Sequence, residues 1–250
     1  MTLDVRDIRI GYDGRMVLHG LDFQVKQGQV LTIIGPNGVG KTTLLRCINA
    51  MLKPQTGAVL IEHADVFKMR AGEIAKRMGY VAQRNEAGRM TAFDAVLLGR
   101  KPHLSWRVSE DDLRKVDAAL HQLDLQHLAL RHIDEMSGGE LQKVCIARAL
   151  VQEPSVLLLD EPTSSLDLKN QLSMLELLKK IVREHHVAAL LSLHDLNTAL
   201  RFADRLLFLK DGVIQGVEVP GEVPEELVRQ VYGVSVHLIS HKGIPLVVPC

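Results

Sequence analysis

The 250 residues carry 30 Lys and Arg against 30 Asp and Glu, and 46% of them are hydrophobic. This composition excludes an intrinsically disordered chain, and a net charge of zero gives no electrostatic footprint for nucleic acid or for an anionic membrane. The length allows one large domain or two small ones.

Strands are predicted through the first third of the chain. Residues 3–10 alternate in polarity, and residues 17–25 contain β-branched and aromatic side chains. The apolar run 29–34 ends at a glycine-rich loop and predicts a buried strand of a covered sheet. A helix is predicted over 41–51 and another strand over 78–83.

The middle of the chain is predicted to be helical and poor in strands. Thr91 or a nearby residue is a predicted N-cap, and Ser109 is another. The helix after Ser109 has acids in its first turn and one apolar face. That face is predicted to comprise Leu113, Val116, Ala119, Leu120 and Leu123.

Strands return from residue 155 and alternate with helices, which favours βαβ units and a mainly parallel sheet. A short helix and a hairpin are predicted at the end of the chain. We therefore expect a single α/β domain with three parts. These are a core formed by 1–89 and 154–220, an inserted helical subdomain, 90–153, and a C-terminal helix and hairpin, 221–250.

The cysteines and the apolar stretches indicate the compartment. Cys47, Cys145 and Cys250 are too far apart for metal ligands, and the first two lie among apolar helical residues, as reduced core thiols do. The N-terminal residues show no apolar core of a signal peptide, and no apolar stretch approaches the roughly 20 residues of a membrane span. We expect a soluble or peripheral cytoplasmic protein.

The sequence "GPNGVGKT" at 35–42 fits the pattern G-x-x-x-x-G-K-[ST], with a predicted strand before it and a helix after it. Its glycines let the backbone turn tightly and direct N–H groups at phosphates. Lys41 supplies charge to the outer phosphates, and the Thr42 hydroxyl is placed to ligate Mg²⁺. The pattern with this context predicts a nucleotide site.

Two acids end the predicted buried strand "VLLLDE" at 156–161. The strand would deliver Asp160 to the sheet edge where ligands bind, and Asp160 can hold Mg²⁺ through water. Glu161 can orient or deprotonate a water that attacks the γ-phosphate. An ordinary solvated acid pair is the alternative, which the phosphate loop disfavours.

Three further residues have open interpretations. His194 follows an apolar strand and is either a partner of the γ-phosphate or an ordinary loop histidine. Gln83 follows another strand and either contacts Mg²⁺ or the attacking water, or is a polar residue at a strand end. Tyr12 either stacks on a nucleotide base or packs in the core or a turn.

A second anion-binding pattern lies in "EMSGGELQ" at 135–142. Ser137, Gly138 and Gly139 form a turn that runs into a predicted helix, so backbone N–H groups and the positive end of the helix dipole face forward. The phosphate loop at 35–42 lies far from this turn in the sequence, so the turn has no phosphate of its own.

Together these residues resemble the nucleotide-binding subunits of ABC transporters, with every motif in the family's order. "GPNGVGKTT" resembles the Walker A motif, "VLLLDEP" the Walker B motif with its catalytic glutamate, and "SSLD" at 164–167 the D-loop. "MSGGE" resembles the signature motif, usually written LSGGQ, with Met136 and Glu140 as departures. Gln83 matches the Q-loop, His194 the H-loop and Tyr12 the A-loop.

The resemblance implies an ATPase with ATP and Mg²⁺ as cofactors. The implied fold is α/β, a P-loop NTPase (RecA-like) core with an N-terminal antiparallel β subdomain and an inserted helical subdomain. Glu161, His194 and Gln83 are implied in catalysis, and Thr42, Gln83 and Asp160 in holding the metal. The implied nucleotide-binding residues are Tyr12, Gly35, Pro36, Asn37, Gly38, Val39, Gly40, Lys41, Thr42, Thr43, Ser137, Gly138, Gly139 and Asp167.

The resemblance also implies partners and a place in the cell. Two copies of the chain pair head to tail, and the Ser137–Gly139 turn of one closes over the γ-phosphate in the phosphate loop of the other. This homodimer binds two transmembrane permease subunits at the cytoplasmic face of the membrane, as a peripheral protein. A substrate-binding protein is an indirect partner, and nucleic acid is not one.

A finer resemblance lies in "LLGRKPHL" at 97–104 and in the tail "VYGVSVHLISHKGIPLVVP". Both are similar to the ATPases of importers for siderophores, haem, cobalamin and related metal chelates. Read alone, "GRKPH" also fits a helix C-cap at Gly99 followed by a proline stop. Arg100 and Trp106 are predicted to be exposed in this turn, where they suit a contact with the permease. The alternative is a solvated loop in which Trp106 packs against its own helices.

Two other classes of protein remain as alternatives. A soluble ABC protein of DNA repair would carry a long coiled coil between Gln83 and the signature, and one of translation would carry two cassettes in one chain. A small-molecule P-loop kinase would need neither a signature turn nor a second carboxylate after Asp160.

Overall fold

A computed structural model describes residues 2–12, 14–83, 88–104, 106–164 and 166–250. The strands and helices in these ranges are β1 (Leu3–Tyr12), β2 (Arg15–Val25), β3 (Val30–Ile34), α1 (Lys41–Ile48), β4 (Thr56–Ile61), β5 (Ala64–Asp65), α2 (Ala71–Arg77), β6 (Met78–Val81), α3 (Ala92–Leu97), α4 (Glu110–Gln122), α5 (Gly138–Leu150), β7 (Val156–Asp160), α6 (Leu168–Glu184), β8 (Ala188–Ser192), α7 (Leu196–Phe202), β9 (Arg205–Lys210), β10 (Val213–Glu218), α8 (Glu225–Tyr232), β11 (Val236–His241) and β12 (Ile244–Pro249).

The central sheet has the strand order β10-β9-β3-β8-β7-β6. The five neighbouring strands β9, β3, β8, β7 and β6 are parallel, and β10 at the edge is antiparallel to β9. Every residue of β3, β7 and β8 is buried. Continuous apolar strands of this kind form because both faces of a parallel sheet are covered.

Alternate residues of β7 face two different apolar layers. Leu157 and Leu159 pack in the layer that contains α5 and α6. Val156 and Leu158 pack in the layer formed with α1 and the N-terminal strands. Because successive side chains of a strand point to opposite faces, one apolar run serves both layers.

The N-terminal strands form a second sheet with the order β2-β1-β4-β5, and all of its pairings are antiparallel. This sheet packs on α1 through residues such as Leu3, Leu18 and Val59. The expected α/β fold, a P-loop core with an antiparallel β subdomain and a helical region, is confirmed.

The helical region contains α3, α4 and α5, and hydroxyl side chains start all three. Thr91 Oγ1 accepts from Asp94 N, and Ser109 Oγ accepts from Asp112 N. The predicted N-caps at Thr91 and Ser109 are therefore confirmed. Leu113 lies at helical spacing from Val116 and Leu120, as predicted, but it is 41% exposed. It lies in the first turn of α4, next to residues 106–111, which are all exposed.

The segment "LGRKPH" corrects two further predictions. It forms a 3-10 helix, Leu98–His103, with Pro102 inside it. Gly99 does not end a helix; a Cβ there would lie 2.2 Å from the Arg148 carbonyl oxygen, so glycine is needed for close packing. Arg100 is 4% exposed rather than solvated, whereas Trp106 is 99% exposed as predicted.

Arg100 is buried because three oxygen acceptors surround it. Its Nε donates to Asp112 at 2.9 Å, and its Nη1 donates to the Val151 carbonyl at 2.7 Å and to Glu153 at 2.8 Å. A buried guanidinium needs such paired acceptors. The contacts join the 3-10 helix to α4 and to the end of α5, so Arg100 holds the helical region together.

The chain ends in α8 and a hairpin of β11 and β12, as the sequence predicted. The hairpin packs on α7 and α8. In the described part of the chain, no helix combines the length and the apolar character needed to cross a membrane.

Candidate functional site

The phosphate loop follows β3 and ends at the N-terminus of α1, as the motif predicts. Gly35 has φ 155°, and a Cβ there would lie 2.0 Å from the Leu209 carbonyl oxygen. Gly40, the N-cap of α1, has φ 104°. Side chains rarely adopt these conformations, which is why glycine occupies both positions. The loop therefore presents its backbone closely to whatever binds in front of α1.

Lys41 is the first residue of α1 and is 6% exposed. Its Nζ donates to the carbonyl oxygens of Gly35 at 2.7 Å and of Pro36 at 3.0 Å. Burial lowers the pKa of Lys41, and the carboxylates of Glu161 and Asp160 oppose that shift. A cation held inside the loop in this way suits the outer phosphates of a nucleotide.

Asp160 and Thr42 meet at the C-terminal edge of the central sheet. Thr42 Oγ1 donates to Asp160 Oδ1 at 3.2 Å, and Asp160 is 2% exposed. The two side chains offer hard oxygen ligands, which Mg²⁺ prefers. Among the described residues no three His, Cys, Asp or Glu side chains cluster as a metal site. A Mg²⁺ that also binds phosphate oxygens needs only one or two protein ligands, so Thr42 and Asp160 fit it.

Ser192 is a functional candidate that the sequence analysis missed. It ends β8 opposite Asp160 of β7 and is completely buried. Its Oγ donates to Asp160 Oδ1 at 2.8 Å and accepts from the Glu161 backbone N–H at 2.9 Å. A single polar residue at the end of an otherwise apolar strand was the available signal. Ser192 thus fixes both acids of the Walker B pattern.

Glu161 adopts a left-handed backbone with φ 47°. Gln83 Nε2 donates to Glu161 Oε2 at 2.8 Å, which joins two residues predicted to act together. The carboxylate therefore lies at the mouth of the loop with an amide partner that restricts its rotation.

Lys41, Thr42, Gln83 and Glu161 line one pocket of about 360 Å³. Val17 also lines it, and this contribution from the N-terminal sheet was not predicted. The lining residues are Val17, Asn37, Gly38, Gly40, Lys41, Thr42, Thr43, Gln83 and Glu161.

His194 and Tyr12 are among the predicted site residues that do not line this pocket. His194 is exposed and follows β8, directly before Asp195, whose side chain accepts from Thr198 N and caps α7. Tyr12, at the end of β1, is 44% exposed. Their contacts with nucleotide stay predictions.

The signature turn begins α5, and its side chains are already engaged. Ser137 Oγ and Ser137 N both donate to Glu140 Oε2 at 2.8 Å, and Glu140 N donates to Ser137 Oγ at 3.3 Å. This reciprocal capping box satisfies two backbone donors at the helix start. The hydrogen bonds from Ser137 lower the pKa of Glu140 despite partial desolvation.

The signature turn and Asp167 line a second pocket, of about 880 Å³. None of its described lining residues also lines the phosphate-loop pocket. The fold therefore places the Ser137–Gly139 turn and the loop of Lys41 on separate surfaces of one chain.

Comparison with known proteins agrees with this geometry. The family model described as ABC transporter matches residues 18–164. An uncharacterized ABC transporter ATP-binding protein of Methanocaldococcus jannaschii is 49% identical over 249 residues, covering 100% of this chain and 98% of the relative. The ferric enterobactin transport ATP-binding protein of Escherichia coli is 37% identical over 248 residues, covering 97% and 92%.

Solved structures agree as well. One, described as a metal-chelate type ABC transporter in an inward-facing conformation, superposes with a TM-score of 0.86 at 26% identity and covers 100% of this chain and 97% of that one. A dimeric ATP-binding cassette in a post-hydrolysis state, bound to ADP and Pi, gives a TM-score of 0.77 at 28% identity and covers 87% and 98%. The chain belongs to the ABC transporter family, as an ATP-binding subunit that hydrolyses ATP to power transport.

Proposed function

We propose that this chain is the ATPase of an importer for a metal chelate, such as an iron siderophore or haem. Two identical copies bind two transmembrane permease subunits at the cytoplasmic face of the membrane, and a substrate-binding protein delivers the cargo. The ferric enterobactin relative and the metal-chelate type transporter support this cargo class. They favour a transporter over a soluble ABC protein of repair or translation.

The observation that carries the two-copy arrangement is the separation of the two pockets. Ser137 begins α5 and Lys41 begins α1, yet no described lining residue is common to both sites. A phosphate-binding turn with no phosphate loop beside it is completed by the loop of a second copy. The dimeric cassette with ADP and Pi among the solved structures supports the same arrangement.

The roles within one site follow from the contacts. Lys41 places its charge against the outer phosphates, and the backbone N–H groups of the loop hold their oxygens. Mg²⁺, held by Thr42 and Asp160 and approached by Gln83, would offset charge on the phosphates. Ser192 keeps Asp160 and the Glu161 backbone in register. Glu161, with its carboxylate held by Gln83, accepts the proton of the attacking water.

Residues beyond this centre complete the assignment. Tyr12 stacks on the base, and His194 contacts the γ-phosphate. Ser137, Gly138 and Gly139 close over the γ-phosphate of the other copy, with Asp167 at the same surface.

A mixing experiment tests the two-copy site. A Lys41→Ala chain and a Ser137→Arg chain are each inactive alone, because every composite site in either homodimer carries one lesion. A mixed dimer has one site with both lesions and one with neither. We expect ATPase activity to reappear on mixing. Its upper limit is about half of the wild-type activity per mixed dimer, because one of the two sites is intact. No recovery, with mixed dimers verified by two affinity tags, would refute the trans arrangement.

The cargo class is tested by transport. Deleting the gene for this chain should abolish uptake of a labelled ferric siderophore or of haem, and the wild-type chain should restore it, whereas Glu161→Gln should not. Uptake of a labelled phosphonate serves as the control, since a phosphonate importer is also among the relatives. Loss of phosphonate uptake alone would contradict the metal-chelate assignment.

A further inference from the structure

The C-terminal helix and hairpin, α8 with β11 and β12, lie outside the matched family region and line neither site pocket. We propose that the hairpin is a support for the nucleotide site: through Asn197 it holds α7 in place, and so positions His194 for catalysis. The proposal rests on the role of His194 given under Proposed function.

The main contact is between Asn197 and the backbone of Val247 in β12. Asn197 Nδ2 donates to the Val247 carbonyl at 3.1 Å, and the Val247 N–H donates to Asn197 Oδ1 at 2.7 Å. Both ends of the amide are therefore bonded to one residue of the strand. These two bonds fix the plane of the Asn197 amide and join α7 to the backbone of β12.

The position of α7 depends on such contacts because the helix is short. It has seven residues, Leu196–Phe202, and an isolated helix of that length is not stable in water. Ala199, Leu200 and Phe202 are buried against neighbouring elements, while Asn197 supplies the directional bonds near the helix start.

His194 is tied to the start of this helix. Asp195 is the N-cap of α7, and its Oδ1 accepts from Thr198 N at 2.6 Å. His194 is the residue before that cap, and on its other side Leu193 N donates to the Ile33 carbonyl of β3 at 3.2 Å. The backbone of His194 therefore spans a fixed strand and a helix that the hairpin holds. A shift of α7 would move His194 relative to the phosphate loop.

Tyr232 of the same C-terminal unit interacts electrostatically with the cap of α7. Tyr232 ends α8, and its buried hydroxyl has no hydrogen bond of full geometry within the described residues. Burial raises the pKa of Tyr232, the Asp195 carboxylate raises it further, and a contact with the Gly35 backbone opposes the shift. The phenol therefore adds to the Asn197 contact a second interaction between the C-terminal unit and the start of α7.

The test compares two variants that each remove one hairpin contact. Asn197→Ala removes the contact with α7. Glu225→Ala removes the contact with α8, in which Leu238 N donates to Glu225 Oε1 at 2.7 Å. If Asn197 positions His194, Asn197→Ala lowers kcat for ATP about tenfold and leaves KM for ATP within about twofold, because nucleotide binding depends on the phosphate loop. Glu225→Ala keeps kcat within about twofold.

A double-mutant cycle with His194→Ala separates positioning from general damage. If Asn197 acts through His194, adding Asn197→Ala to His194→Ala causes no further loss of kcat. A further tenfold loss in that background, or an equal loss of kcat in Glu225→Ala, would overturn the proposal. Full turnover in His194→Ala alone would instead refute the role of His194, and the inference would fail with it, while the remaining proposed function would stand on the mixing experiment.

Discussion

The phosphate loop and the signature turn are both glycine-rich starts of helices, yet the structure equips them differently. At α1 the N-cap is Gly40, with no capping side chain among the described residues, and Lys41 adds a buried cation. At α5 the N-cap is Ser137, whose hydroxyl and N–H are bonded to the Glu140 carboxylate. A helix start with free N–H groups and a cation attracts an anion more strongly than one that carries its own carboxylate.

The comparison teaches that a glycine-rich turn before a helix does not by itself define a strong anion site. The first site is built to hold a nucleotide by itself. If the second binds the phosphate of another chain, as proposed, it has to give up part of its own capping box, which suits a contact that forms and breaks in each cycle. Substitutions on the two surfaces should therefore have different consequences.

The largest effect is expected at the phosphate-loop pocket. Glu161→Gln removes the proposed proton acceptor but leaves the cradle of Lys41 and Thr42 intact. The ATPase rate should fall at least about 100-fold while ATP affinity changes little. The measurements are steady-state ATPase rates and equilibrium nucleotide binding. The variant should also collect as a dimer in ATP by size exclusion with light scattering.

The matched control for that substitution is Glu184→Gln at the exposed end of α6, where Glu184 only approaches Lys180 at 3.8 Å. It should retain its full rate. Near-normal turnover in Glu161→Gln would remove Glu161 from the catalytic role and leave Thr42 and Asp160 as a metal-binding pair without a base.

The next largest effect is expected in the helical region that carries the signature turn, at Arg100 and not in the turn itself. Arg100→Ala removes the buried cation that joins α4 to the end of α5 and leaves Asp112 without its ion pair. The thermal midpoint should fall by on the order of 10 °C. ATP affinity at low temperature should persist, because the phosphate loop shares no contact with Arg100.

Thermal melts and nucleotide binding check this prediction, with Arg114→Ala as the control, since Arg114 is exposed and approaches only Asp111 at 3.6 Å. An unchanged midpoint in Arg100→Ala would show that Asp112 and Glu153 do not depend on the guanidinium. The earlier expectation that Arg100 faces the permease is replaced by this structural role, while contact between Trp106 and a partner stays a prediction.

The same ion pair predicts a pH effect of intermediate size. Hydrogen bonds from Ser109, followed by that from Arg100, lower the pKa of Asp112 from 3.8 to about 2. Because the folded pKa lies below the unfolded one, the stabilisation is present above pH 3.8 and is lost as pH falls toward about 2. Asp112→Asn should therefore flatten the loss of the thermal midpoint between roughly pH 4 and pH 2. A loss as steep as in the wild type would assign the acid sensitivity to other carboxylates.

The smallest effect is expected at Glu140. Glu140→Gln keeps an acceptor for Ser137 but removes a negative charge at the turn proposed to bind the phosphate of the other chain. ATP-driven dimerisation, measured in the Glu161→Gln background, should strengthen by about two- to fivefold. Glu135→Gln, which removes an equal charge two residues before Ser137 and outside the capping box, should have less effect. If both variants strengthen the dimer equally, only the net charge of the surface matters.

The sequence by itself determined the local chemistry of the site. The phosphate loop requires glycine at positions 35 and 40 because of their backbone angles, and the motif G-x-x-x-x-G-K-[ST] contains glycine at both positions. The N-caps at Thr91, Ser109 and Ser137 follow from hydroxyl side chains placed before apolar periodicity. These features depend on residues a few positions apart, so a single chain segment contains all the information.

Only the tertiary structure decided which distant residues meet. Ser192 lies beside Asp160 because β8 pairs with β7, and the sequence of neither strand predicts which strand it pairs with. Arg100 looked like a solvated cation because its three acceptors come from elements up to 53 positions away. Asn197 pairs with a strand 50 residues further along. Burial and pairing across such separations depend on how the sheets and helices pack, because the desolvation that selects these partners arises only when the elements come together.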